Sequence, residues 1–132
     1  MKALDTNILI RFLVKDDERQ AEAVYNLFKR AEAEKECFFV PLLVVLETIW
    51  VLGSVYDVSP NDILDAFREL LSMPLLIFES QPAVQAFTSS GKENPLDLSD
   101  LLIAQSAHYS GCEKVLTLDK QAAKSALFEL VG

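Results

Sequence analysis

The chain has 132 residues, 51% of them hydrophobic and 24% charged, a balance that excludes a disordered protein and suits one domain with one apolar core. Its formal net charge of −8 at pH 7 argues against a protein that coats nucleic acid non-specifically, because such surfaces are strongly basic. The same charge suits a cation-binding protein or one with a basic partner, and it allows a nucleic-acid enzyme with a few local cations.

Cysteine content and hydropathy predict a cytoplasmic location. The two cysteines, Cys37 and Cys112, are too few for a disulfide framework and form no metal motif. The first residues have no signal-peptide pattern, because charges interrupt their apolar run. The apolar stretch 37–56 is long enough to raise a membrane span, but Pro41 and Glu47 divide it. No membrane partner is therefore expected.

The predicted secondary structure alternates short apolar strands with helices. In chain order we predict a strand ending at Asp5, helices over 7–13 and 18–34, a strand over 37–40, helices over 42–56 and 60–71, a strand over 75–78, a helix over 82–89, a loop over 91–95, a helix over 98–109, a strand over 115–118, a short helix over 121–126 and an apolar tail over 127–131. This alternation predicts an α/β protein, a three-layer α/β/α sandwich with a central parallel sheet of four or five strands. No repeat or linker divides the sequence, so residues 1–132 are expected to form a single domain.

Asp5 stands where the opening strand ends, and Thr6 and Asn7 follow it directly. In open parallel sheets ligands collect at the carboxyl edge, so Asp5 is a candidate metal ligand. The alternative is that Asp5 or Asn7 only caps the next helix. Asp119 follows the fourth strand in the same way.

Glu47 is the only charge in a helix that is apolar nearly all round. Such a helix is expected to be buried, and a buried Glu needs a partner. No Lys or Arg stands at the neighbouring helical positions, so the choice lies between a metal and a distant cation. Asp100 opens a similar helix, level with the carboxyl edge; alternatively it is a helix-dipole partner while Asp97 caps the helix.

Four acids are thus predicted to meet at one edge of the sheet: Asp5, Glu47, Asp100 and Asp119. Carboxylates that close cannot all stay ionised without a cation. A hard divalent ion with oxygen ligands, Mg²⁺ or Mn²⁺, resolves the repulsion and predicts catalysis of phosphoryl chemistry. Nucleophilic triads and Gly-rich phosphate loops are missing from the sequence.

Four short segments carry a family resemblance: 4–7, the helix with Glu47, 97–104 and 116–120. In this order and spacing they resemble the PIN-domain family, and in particular its VapC-type toxins of bacterial and archaeal toxin–antitoxin pairs. The resemblance covers essentially the whole chain. It implies that the four acids are the metal-binding catalytic residues. It further implies four supporting polar residues, of which the last is an accessory acid without an assigned role: Thr6, Asn7, Thr117 and Asp97.

The resemblance also implies a Mg²⁺- or Mn²⁺-dependent endoribonuclease that forms a homodimer and is inhibited by a cognate antitoxin. RNA needs cations around the acidic edge, and four basic residues are candidates to supply them: Arg11, Lys15, Lys92 and Lys120. The alternative for each is an ordinary surface charge. Apolar residues of the first two helices are predicted to form a groove for the antitoxin: Leu9, Phe12 and Val24.

Two other classes of function stay open on the sequence. A haloacid-dehalogenase-like phosphatase also begins with a strand that ends in Asp, but it needs a second Asp where this chain has Asn7. A catalytically silent PIN-like interaction module is the non-enzyme alternative. The four intact acids argue against that module, and a metal-dependent nuclease assay separates the two.

Overall fold

The computed structural model describes residues 1–92 and 94–132; Glu93, within the predicted loop 91–95, lies outside the described residues. The chain forms two compact units, an amino-terminal unit of residues Met1–Glu79 and a carboxy-terminal unit of residues Ser80–Gly132. Among the helices of the described residues, none has both the length and the apolar composition that crossing a membrane requires.

The amino-terminal unit contains three strands and four helices. They are β1 (Lys2–Ala3), α1 (Thr6–Leu13), α2 (Glu18–Ala33), β2 (Phe38–Val40), α3 (Leu42–Ser54), α4 (Pro60–Leu71) and β3 (Leu76–Phe78). The strands form a parallel sheet in the order β1-β2-β3, with Lys2 opposite Phe38 and Phe38 opposite Leu76. Because all three strands run the same way, the residues after their carboxyl ends lie along one edge.

The core of this unit is built from one apolar face of each helix. Leu64 and Phe67 of α4 are fully buried, as is Val45 of α3. α1 packs against α2 and α3, while α4 packs against α3 and β3. The rings of Phe12 and Phe28 stand 5.0 Å apart and extend this packing towards β2. Burial of these side chains is the main stabilising contribution, about 1.5–3 kcal/mol for each fully buried one.

The carboxy-terminal unit contains a helix pair and a two-stranded sheet. Its elements are α5 (Gln81–Ser90), α6 (Leu98–Tyr109), β4 (Val115–Thr117), a 3₁₀ turn (Ala122–Lys124) and β5 (Phe128–Leu130). β4 and β5 are parallel, with Val115 opposite Phe128. α5 packs along α6, where Phe87 and Leu101 are fully buried.

The predicted order of elements and the α/β class with parallel strands are confirmed. Within the described part of the chain, five strands form one sheet of three and one of two, where a single central sheet was predicted, and the fifth strand, β5, lies in the predicted apolar tail. The helix predicted over 121–126 is a single 3₁₀ turn. α1 begins one residue earlier than predicted, at Thr6, because Asp5 is its N-cap. The N-cap of α4 is Ser59, whose Oγ accepts a hydrogen bond from the amide of Asp62 at 3.2 Å.

The end of α2 stores backbone strain at Lys35. The amide of Glu36 donates to the carbonyl of Ala31 at 2.8 Å and that of Lys35 to Glu32 at 3.3 Å, a Schellman motif. This motif requires a left-handed residue, and Lys35 adopts φ 57° although it carries a Cβ atom. Glycine is the residue that such a position favours.

We expect Lys35→Gly to raise the free energy of unfolding by about 1 kcal/mol, because glycine removes the steric cost of the left-handed conformation. Lys35→Ala removes the same charge and keeps the Cβ atom, so it should bring no such gain. Urea unfolding of the three proteins measures both effects. Equal stabilisation by Gly and Ala would show that the charge, and not the backbone, is responsible.

Candidate acidic site

Asp5 both caps α1 and presents an exposed carboxylate. Its Oδ1 accepts a hydrogen bond from the amide of Thr6 at 2.7 Å, and its carbonyl accepts one from Ile8 at 3.1 Å. Asp5 and Asn7 are exposed, whereas Thr6 is buried. Asp5 therefore does cap α1, while its role as a metal ligand stays a prediction. The cap uses one carboxylate oxygen and is compatible with a ligand role for an exposed acid.

Glu47 is exposed, so the prediction that its helix is buried on all sides is wrong. Leu43, four residues earlier, and Trp50, three residues later, share its face and are 78% and 60% exposed. The other face of α3 forms core, where Val45 and Ile49 are buried. Burial therefore gives no reason to demand a partner for Glu47. Its side chain is accessible to solvent.

Glu79 is an acid that the sequence analysis did not single out. It follows β3 directly, as Asp5 closely follows β1, so the same signal could have found it. Its Oε1 accepts a hydrogen bond from the amide of Leu42, the first residue of α3, at 3.0 Å. The bond joins the end of one strand to the helix that follows the neighbouring strand.

In the carboxy-terminal unit, Asp97 and Asp119 act on the carboxyl of Asp100. Asp97 is the N-cap of α6, where its Oδ1 accepts from the amide of Ser99 at 3.2 Å. Asp100 lies in the first turn of the same helix. Desolvation of its carboxyl, and then the charges of Asp97 and Asp119, raise the pKa of Asp100 above its ordinary value. This edge of the unit therefore carries an excess of negative charge.

Asp119 is oriented by its own turn. Its Oδ1 accepts from the amide of Gln121 at 2.8 Å and from that of Ala122 at 3.4 Å. The hydroxyl of Thr117 accepts from the amide of Asp119 at 3.0 Å. These bonds fix where the chain leaves β4, and the supporting role of Thr117 in the site stays a prediction.

The donor set suits a hard divalent cation. Within residues 1–92 and 94–132, no group of three or more His, Cys, Asp or Glu side chains is arranged to hold a metal ion. Mg²⁺ does not require such a cage, because it keeps several waters and binds through one or two carboxylates and substrate phosphates. Asp100 and Asp119 supply carboxylate oxygens, and desolvation and the charges of Asp97 and Asp119 disfavour the ionised form of Asp100. The meeting of all four acids stays a prediction.

Arg11 has a structural role in the amino-terminal unit. Its Nε donates to Gln20 at 2.6 Å, and its Nη1 donates to Asp16 and to the hydroxyl of Tyr56, each at 3.1 Å. The bond to Tyr56 is the main cause that raises the pKa of Arg11. The guanidinium thus ties α1 to α2 and to the segment after α3. The other three cations of the predicted RNA-binding set are exposed: Lys15, Lys92 and Lys120.

The groove predicted from Leu9, Phe12 and Val24 is wrong. Leu9 is fully buried and Val24 is 5% exposed, while the ring of Phe12 packs against Phe28. Contacts of α1 with α2 and α3 therefore bury two of the three residues that were predicted to line this groove.

We expect Asp100→Asn to raise the melting temperature of the metal-free protein at neutral pH. A raised pKa means that the folded protein binds this proton more tightly than the unfolded chain does. Stability from this group is therefore lost as pH rises from about 3.8 through the raised pKa. The asparagine side chain does not ionise, so Asp100→Asn avoids this loss of stability. Thermal melts in EDTA between about pH 4 and pH 7 measure it.

Glu69→Gln is the control, because Glu69 is an exposed acid on α4. It should leave the pH dependence of the melting temperature unchanged. A lower melting temperature for Asp100→Asn at neutral pH would contradict the electrostatic description of this edge.

Comparison with known proteins identifies the family. The family model of the PIN domain matches residues 2–126, which include all four predicted acids. The chain is 25% identical over 124 residues to a VapC ribonuclease of Aquifex aeolicus (strain VF5), covering 94% of this chain and 91% of that relative. No solved structure matches significantly. Because the family match extends over nearly the whole chain, the protein belongs to the PIN-domain family.

Proposed function

We propose that this protein is a VapC-type endoribonuclease that hydrolyses RNA phosphodiester bonds with Mg²⁺ or Mn²⁺. The observation that carries the proposal is the PIN-domain match over residues 2–126, and similarity to a relative named VapC ribonuclease supports it. The whole of residues 1–132 acts as a single catalytic domain. Its metal-binding acids are Asp5, Glu47, Asp100 and Asp119.

The bound cation supplies Lewis-acid chemistry, which neutralises charge on the scissile phosphate and makes water a nucleophile at neutral pH. The chain's own residues orient the ligands. Asp5 is held at the start of α1 by its bond to Thr6, and Asp119 is held by the amides of Gln121 and Ala122. In each of these acids Oδ1 accepts the hydrogen bonds from the backbone, which leaves Oδ2 for the proposed cation.

Asp100 gains most from a cation. Its raised pKa reflects a carboxylate that desolvation and two neighbouring acids disfavour. A divalent cation favours the ionised form, so binding is coupled to proton release and weakens as pH falls. Asp97, the N-cap of α6, contributes to this coupling through its charge alone.

The proposed substrate and partners rest on the similarity to VapC-type proteins, and the charges of the chain are compatible with them. Lys15, Lys92 and Lys120 are exposed cations for the RNA backbone in a protein with a net charge of −8. A cognate antitoxin is proposed to bring Arg or Lys to the acids, where a cation mimics the metal and blocks the site. The protein is proposed to act as a homodimer.

Cleavage of RNA is expected to require Mg²⁺ or Mn²⁺ and to fall by at least about a hundredfold in Asp5→Asn and Asp100→Asn, because each change removes a charged ligand. A fluorescent single-stranded RNA assay with purified protein measures the rate. Glu69→Gln should cleave like the unaltered protein. Undiminished cleavage in EDTA would refute the metal mechanism, and inactivity of the unaltered protein with either metal would favour the silent module.

Glu47→Gln is expected to leave the metal-free fold intact and to weaken stabilisation by Mn²⁺. The side chain is exposed, so the change should alter the free energy of unfolding by no more than about 0.5 kcal/mol. A lost ligand lowers metal affinity, and with it the rise in melting temperature that the metal produces. Thermal melts in EDTA and in a Mn²⁺ series separate the two effects. A large drop in the melting temperature of Glu47→Gln, measured in EDTA, would mean that Glu47 is structural.

A further inference from the structure

The start of α3 lacks a cap from its own segment. The N-cap residue is Pro41, whose side chain has no acceptor, and it makes no capping hydrogen bond. The first amides of a helix need partners from outside the helix. The carbonyl of Pro41 accepts from Val44 at 3.0 Å and from Val45 at 3.2 Å. The amide of Leu42 donates instead to Oε1 of Glu79 at 3.0 Å.

Glu79 is itself anchored to the sheet. Its amide donates to the carbonyl of Val40 at 3.0 Å, which extends the pairing of β2 and β3 by one residue. The backbone of Glu79 therefore binds the end of β2, while its side chain binds the helix that follows. A carboxylate at this end of a helix is also favoured by the helix dipole. One residue thus holds the turn between β2 and α3 from the neighbouring strand.

The direction in which α3 leaves the sheet determines where Glu47 stands. α3 is a continuous helix of 13 residues, and Glu47 lies five residues after Leu42, about 7.5 Å along the helix axis. A tilt of the first turn therefore moves the carboxylate of Glu47 as well. Packing against α1 and α4 limits the helix along its length, and Glu79 fixes the end that meets the sheet.

We propose that Glu79 is a positioning residue for the metal site: by accepting the hydrogen bond from Leu42 it sets the orientation of α3 and, through the helix, the placement of Glu47. This inference rests on the proposed metal-dependent nuclease function. Outer residues that orient metal ligands contribute about 10–100-fold to metal affinity or activity.

The test compares Glu79→Ala with Glu79→Gln. Glutamine keeps an oxygen that can accept from Leu42, whereas alanine keeps none, so only the alanine variant should free the first turn. Two quantities are measured: Mn²⁺ affinity from the metal-dependent rise in melting temperature, and the RNA cleavage rate at saturating Mn²⁺. Both quantities are measured under conditions in which circular dichroism shows that every variant is folded. Exchange of the Leu42 amide, followed by NMR, reports the hydrogen bond directly.

We expect Glu79→Ala to lose about tenfold in Mn²⁺ affinity or in cleavage rate and to exchange the Leu42 amide faster. For Glu79→Gln, Mn²⁺ affinity and cleavage rate should stay within about twofold of those of the unaltered protein. The amide oxygen is a weaker acceptor than the carboxylate but occupies the same place. Glu69→Gln and Glu69→Ala, at an exposed acid of α4, should change none of these quantities.

Three results would overturn the inference. If Glu79→Ala lowers only the melting temperature, with Mn²⁺ affinity and cleavage rate unchanged, Glu79 is a stabilising cap and nothing more. If Glu79→Gln is as impaired as Glu79→Ala, the charge of Glu79 matters and the hydrogen bond to Leu42 does not position the site. If the unaltered protein shows neither Mn²⁺ stabilisation nor Mn²⁺-dependent cleavage, the proposed function fails, and the positioning role falls with it.

Discussion

Parallel pairing of three very short strands is the constraint on which the amino-terminal unit depends. β1 has two residues and β2 and β3 have three each, so few ladder bonds hold them. Flanking amides extend the ladder: that of Leu4 donates to Phe39 at 2.9 Å and that of Glu79 to Val40 at 3.0 Å. Because the strands run the same way, their carboxyl ends share one edge, where α1 and α3 begin. The acids Asp5 and Glu79 owe their positions to this pairing.

Acids in this protein serve the backbone as well as the proposed site. Asp5, Asp97 and Asp119 each accept hydrogen bonds from amides at the start of a helix or turn. Such amides carry partial positive charge, which favours carboxylates there even in a chain with a net charge of −8. At Asp100, desolvation and then the charges of Asp97 and Asp119 raise the pKa of the carboxyl. The fold therefore tolerates a concentration of acids that a divalent cation would relieve.

Two predictions are wrong for the same reason: the burial of α3 on all sides and the groove on α1 and α2. Hydropathy describes the composition of a helix but not how much of its surface other elements cover. α3 is apolar nearly all round, yet Leu43, Glu47 and Trp50 form an exposed face. Conversely, Leu9 and Val24 are ordinary apolar helix residues, and contacts of α1 with other helices bury Leu9 completely. The exposed face of α3 leaves the carboxylate of Glu47 accessible for the role proposed for it.

The sequence by itself determined the order of strands and helices, the cap of α4 at Ser59 and the acids that follow β1 and β4. These features depend on hydrogen bonds and side-chain spacing within a few residues, which the local sequence specifies. Only the tertiary structure decided which face of α3 is exposed, that Arg11 binds Tyr56, and that Glu79 caps Leu42. The last two bonds join residues 45 and 37 positions apart. Such partners meet only when strands pair and helices pack, because no local signal specifies contacts over that separation.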